Sequence, residues 1–125
     1  MQAINFISGL PRSGSTLLSA ILSQNPRFKA HMSGPVAGLL NNLLESMSGK
    51  NEFSVFIDHE QRHRILKSVV ESYYADQPDK VVFDTSRSWC ARMALIEKLY
   101  PQAKVIACVR HVSWVVDSIE QLVQK

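Results

Sequence analysis

The stretch FISGLPRSGSTLL, residues 6–18, runs from the end of an apolar segment into a helical pattern through a bend bounded by Gly9 and Gly14. Upstream, residues 3–8 (AINFIS) form a short, non-alternating apolar run of the kind that becomes a buried strand. Downstream, Leu17, Leu18, Ile21 and Leu22 share one face of a helix that starts at Ser15 and is stopped by Asn25-Pro26. A strand, a glycine-bounded loop and a helix in that order gather backbone N–H groups and the positive end of a helix dipole around one point. Such a point attracts phosphate or sulfate.

The spacing of Gly9, Gly14, Ser15 and Thr16 is that of a P-loop with one change: Ser15 stands where a nucleotide triphosphatase has lysine, and the positive charge sits inside the loop at Arg12. Arginine offers a planar fork of donors suited to two oxygens at once, whereas the P-loop lysine acts as a point charge. Ser13, Ser15 and Thr16 add hydroxyl donors, which makes Arg12, Ser13, Gly14, Ser15 and Thr16 the candidate anion-binding residues. The plainer alternative is a serine-capped turn with Arg12 in solvent. The strand and helix patterns on either side favour the anion site.

Working outward, a loop containing His31, Ser33, Gly34 and Pro35 leads to a predicted helix over 36–47, with Leu39, Leu40, Leu43, Leu44 and Met47 as its apolar stripe. Residues 48–53 read as a turn. Asp58 is placed to cap a helix that buries Ile65, Leu66, Val69, Val70 and Tyr73 and is closed by Pro78. A second strand is predicted over 80–84 (KVVFD), then a helix with Trp89, Met93, Ile96 and Tyr100 on one face, ended by Pro101. A third strand covers 104–109 (KVIACV), and Val115, Val116, Ile119, Leu122 and Val123 line a last helix. Short apolar strands alternating with helices predict an α/β domain with a parallel sheet covered on both sides. Residues 121–125 still read as helix, so the expectation is one domain over 1–125 that is the N-terminal portion of a longer one.

The stretch GLPRSGSTLLSAIL resembles the 5′-phosphosulfate-binding loop of the sulfotransferases that use 3′-phosphoadenosine 5′-phosphosulfate. It is most similar to the arginine-type loop of the tyrosylprotein and related carbohydrate sulfotransferases. VIACVRHVSWVVDSIEQL, residues 105–122, resembles the same family's 3′-phosphate-binding motif, with Arg110 and Ser118 on the matching positions. An arginine leaving the carboxyl end of a parallel strand points into the crevice where open α/β sheets bind ligands. On straight helical geometry Arg110 and Ser118 would stand about 12 Å apart; the resemblance implies that the segment curls so that both reach one phosphate. It further implies a P-loop-type fold, adenosine 3′,5′-bisphosphate as product, no required metal, and a chain that usually continues well past residue 125.

Sulfuryl transfer demands that the acceptor oxygen and the leaving phosphate oxygen be aligned and that spreading charge be stabilised. Arg12 is the candidate catalytic residue for the second task. For the first, the acceptor hydroxyl needs a base, and here the chain departs from the tyrosylprotein enzymes: Met32-Ser33 occupy the place of their glutamate, with His31 beside them, and Thr85 stands where they have lysine. His31 titrates near neutrality when unperturbed, which makes it the candidate base. The acceptor class stays open among small-molecule, carbohydrate and peptide hydroxyls. Two rival readings remain: a P-loop nucleotide or small-molecule kinase, with Thr16 and Asp84 holding magnesium, and a non-catalytic nucleotide-binding fragment. Asp84 has the alternative role of capping the helix after its strand.

Of the 125 residues, 46% are apolar and 20% charged, with a net charge of +3, as expected of an ordinary folded soluble protein. The basic residues are scattered, which argues against nucleic acid as a partner. No stretch is long and apolar enough for a membrane span, and no signal peptide is recognisable. Cys90 and Cys108 form no closely spaced pair, His59 and His63 lack a third ligand, and no metal site is expected. A reducing, cytoplasmic setting fits, with self-association through apolar surface left exposed at a truncated end.

Overall fold

The structure, a computed structural model, describes residues 1–9, 14–30, 33–49, 52–109 and 119. Four strands, β1 (Ala3–Gly9), β2 (Phe28–Ala30), β3 (Val81–Thr85) and β4 (Val105–Cys108), form one parallel sheet in the order β2-β3-β1-β4. Helices α1 (Ser15–Ser23), α2 (Val36–Ser46), α3 (His59–Tyr73) and α4 (Met93–Leu99) connect them, with 3-10 turns at Glu52–Phe56 and Arg87–Arg92. This is the α/β parallel architecture that the sequence predicts, with one strand more than expected among the described residues. β2 is only three residues long and follows Pro26, too short to show any periodicity. It is recruited by its neighbour: Val81 N–H donates to the Arg27 carbonyl, and Phe28 pairs with Val81.

The central strand β1 owes its place to its side chains. On one face Ile4 and Phe6 join Val82 in a core completed by Val36, Leu40, Leu66, Val70, Trp89, Ile96 and Leu99 from α2, α3, the second 3-10 turn and α4. Phe6 meets the Trp89 ring edge-on at a centroid distance of 4.7 Å. On the other face Ile7, fully buried, lies beside Thr85 in the strand register, and α1 packs there.

Several helices bury different residues from those that hydropathy alone selects. In α1, Leu17 and Ile21 are 66% and 54% exposed, while Ser19 is the buried residue. Asp58 caps α3 as expected, in a reciprocal capping box with Gln61. The helix then buries Tyr74 at its C-cap, leaving Tyr73 41% exposed. Trp89 sits on the 3-10 turn before α4, and Met93 is half exposed.

The reason for the Tyr74 and Trp89 positions is Asp84. This carboxylate is fully buried; its Oδ2 accepts from the Tyr74 hydroxyl and its Oδ1 accepts from Trp89 Nε1 at 2.9 Å. The capping role for Asp84 is thereby corrected. The cap of the following turn is Ser86, whose Oγ accepts from Ser88 N–H, and each Asp84 oxygen accepts a hydrogen bond inside the core.

Asp84→Ala would strand two buried donors, and we expect a loss of roughly 2–5 kcal/mol in urea unfolding. Tyr74→Phe should cost less, because the indole bond survives. Tyr100 supplies a contrast: its hydroxyl is buried and has no hydrogen-bond partner, and burial, with Glu71 nearby, pushes the phenol well above its usual pKa. Tyr100→Phe should therefore leave stability at pH 7 unchanged or raise it by about 1 kcal/mol. Above pH about 10 the unfolded chain ionises tyrosines that the native state keeps protonated, so stability falls with rising pH. That fall should be shallower in Tyr100→Phe, as read by denaturation at pH 9 and 11; an equal slope would contradict the assignment.

Candidate functional site

Because the strands are parallel, all four carboxyl ends open on one edge of the sheet. Ligands of open α/β sheets bind outside that edge. β1 delivers the glycine-bounded loop there. Its last turns of chain are clamped: Ser8, 1% exposed, donates from Oγ to the Arg87 carbonyl at 3.0 Å and accepts from Cys90 N–H at 3.2 Å. Ser86 N–H donates to the Ile7 carbonyl at 2.9 Å. The strand end that launches the loop is thus tied to the segment following β3.

On the far side of the loop, Gly14 has φ of +102°, a conformation that side chains resist, and it serves as N-cap of α1. Its carbonyl accepts from Leu18 N–H at 3.0 Å. Among the described residues no side chain caps this helix, and its first turn has no acidic residue. The first-turn N–H groups therefore lack intrahelical acceptors and carry the positive end of the dipole. Ser15 is half-buried and Thr16 exposed, so both described hydroxyls of the predicted site lie in this first turn.

Arg12, Ser13, His31, Arg110 and Ser118 lie outside the described residues. The strands that carry the chain to them are described, and their register is informative. Gly9, which precedes the loop holding Arg12 and Ser13, pairs with Cys108, two residues before Arg110. The two segments leave neighbouring strands, about 4.8 Å apart, at the same level of the same edge. β2 ends at Ala30, immediately before His31, and is separated from β1 by β3. Its end pairs with Phe83, level with Asn5 of β1, so it stops two strand spacings, about 10 Å, to the side of β1 and four residues, about 13 Å, short of the level of Gly9.

One contact near this edge escaped the sequence reading. Ser19 Oγ and Thr85 Oγ1 are 3.1 Å apart and buried, joining α1 to the end of β3. The available signal was the pair Ser15 and Ser19 at helical spacing beside Leu18 and Leu22, a mixed face that hydropathy passes over. Elsewhere, a concavity of about 550 Å³ lined by Ile4, Lys67, Glu71, Leu99 and Tyr100 lies at the amino end of β1, opposite the loop. Among the described residues, no group of three or more His, Cys, Asp or Glu could hold a metal ion, and no helix is long and apolar enough to cross a membrane.

The described residues thus define an α/β protein with a parallel sheet, in which Gly9 at the end of β1 and Gly14 at the N-cap of α1 are separated by four residues of sequence at the carboxyl edge. The chain belongs to the sulfotransferase family, whose profile matches residues 5–125 and so takes in both the loop and the segment after β4. No curated protein matches it.

Gly14→Ala forces a Cβ onto a left-handed backbone and should cost about 1–3 kcal/mol. Nothing crowds the added methyl group, so the cost is conformational. Thermal unfolding of Gly14→Ala beside Gly38→Ala, where the glycine lies within α2, should show a drop in Tm for the first and no drop for the second.

Proposed function

We propose that this chain binds 3′-phosphoadenosine 5′-phosphosulfate as donor and transfers its sulfuryl group to a hydroxyl of a small-molecule, carbohydrate or peptide acceptor. The observation that carries the reading is the pairing of Gly9 with Cys108, which sends the segments bearing Arg12 and Arg110 out of adjacent strands at one edge. A nucleotide with phosphates at both its 5′ and 3′ positions needs two such anion-binding segments.

In this scheme the first-turn N–H groups of α1, with Ser13, Ser15 and Thr16, cradle the 5′-phosphosulfate. Arg12 spans the bridging region and stabilises charge as it moves onto the leaving phosphate. Arg110 and Ser118 take the 3′-phosphate. The acceptor oxygen forms a bond to sulfur from the side opposite the 5′-phosphate, the sulfur–oxygen bond to that phosphate breaks, and the acceptor proton passes to a base. His31, which follows the last residue of β2, is the candidate base. Adenosine 3′,5′-bisphosphate is the released product.

The kinase alternative is weakened by Asp84. A magnesium-binding carboxylate is most useful with its oxygens free of protein donors, whereas each oxygen of this one already accepts from a core side chain, Tyr74 and Trp89. Calorimetry separates the two readings. The wild-type chain should bind adenosine 3′,5′-bisphosphate more tightly than ADP with magnesium, and Arg12→Ala and Arg110→Ala should each weaken the bisphosphate about 10- to 100-fold, the loss of one charge-assisted contact. Tighter binding of ADP with magnesium would replace this reading with the kinase.

A further inference from the structure

α1 is weakly held by apolar contacts for a helix that has to present an anion site. Of its nine residues only Ser19 is fully buried; Leu18 and Leu22 are half-buried, and Leu17 and Ile21 face outward. The buried contact is polar. Ser19 Oγ lies 3.1 Å from Thr85 Oγ1, and these residues are 1% and 5% exposed. Either hydroxyl can donate.

The location of this pair gives it leverage. Ser19 follows Ser15 by four residues on the same face of α1, about 6 Å along the axis below the first-turn N–H groups. Thr85 is the last residue of β3 and sits beside Ile7, two residues before the loop begins at Gly9. One hydrogen bond therefore joins the helix carrying the site's N–H donors to the strand next to the one that launches the loop. A shift or rotation of α1 that broke this bond would leave two buried hydroxyls without each other and would re-aim Ser15, Thr16 and the first-turn amides together. A polar contact with directional geometry fixes a rotation that two half-buried leucines leave loose.

We propose that Ser19 and Thr85 are positioning residues of the donor site, acting through α1 by holding its first turn at the height and rotation that the 5′-phosphosulfate requires. This rests on the donor reading given above. It assigns a role to Thr85, at the position where the tyrosylprotein enzymes have lysine. Here the residue is turned inward to brace the helix.

The test separates positioning from simple stability. Ser19→Ala and Thr85→Val each leave one buried hydroxyl without this partner and should lower Tm. The double variant removes both hydroxyls and keeps most of the packing, so its Tm should recover towards wild type. If the pair positions the loop, affinity does not recover with Tm: calorimetry should show adenosine 3′,5′-bisphosphate binding weakened about 3- to 10-fold in the double variant, the loss of one neutral hydrogen bond's worth of alignment. Thr85→Ser, which retains the hydroxyl, should bind like wild type. A double variant with wild-type affinity would overturn the positioning role while leaving the donor reading intact. Inorganic pyrophosphate, titrated in parallel, covers the opposite case. If wild type binds pyrophosphate but not the bisphosphate, the donor reading fails and the same four variants are judged on pyrophosphate. If wild type binds neither, both proposals fall.

Discussion

The constraint on which this structure depends is the burial of β1 between two parallel neighbours. Pairing with β3 through Ala3–Ile7 and with β4 through Phe6–Gly9 satisfies its backbone on both sides, and Ile4, Phe6 and Ile7 are buried on its two faces. A strand so enclosed cannot shift without breaking ladder bonds on both sides. The bend that follows it therefore starts from a fixed point, and everything at the carboxyl edge is measured from there.

The two faces of the sheet solve the covering problem differently. On one, α2, α3 and α4 meet Ile4, Phe6 and Val82 in a large apolar core, where the Asp84 carboxylate is paired with Tyr74 and Trp89. On the other, α1 packs on β1 and β3 with a mixed face and the Ser19–Thr85 hydroxyl contact. The heavily packed side carries stability, and the lightly covered side carries α1. Ser8 links them, since it extends from β1 to the 3-10 turn on the core side one residue before the loop begins.

Much of this was legible in the residues themselves, and the misses share one cause. The apolar runs at 3–8, 80–84 and 104–109 correspond to β1, β3 and β4, and Asp58 caps α3 as its spacing predicts, because these signals are local. β2 was invisible because a three-residue strand exists only through its partner β3. Tyr74 is buried in place of Tyr73 because its hydroxyl finds Asp84, ten residues away, and Ser19 is buried in place of Ile21 because it finds Thr85, 66 residues away. Periodicity ranks residues by hydropathy, and long-range hydrogen bonds overrule that ranking wherever a buried polar group has a partner waiting. At the carboxyl edge, the start of α1 at Ser15 was readable from spacing. The register of Gly9 with Cys108, which brings the two ends of the chain together, was not.

The central claim is that one nucleotide bridges the segments leaving β1 and β4, and amide chemical shifts read this without any substitution. On titration with adenosine 3′,5′-bisphosphate, the N–H signals of Gly14, Ser15 and Thr16 and those of Cys108 and Val109 should move together along one binding curve, whereas sulfate should move the first group alone. Bisphosphate-induced shifts confined to one of the two groups, or two groups titrating with different affinities, would contradict the account.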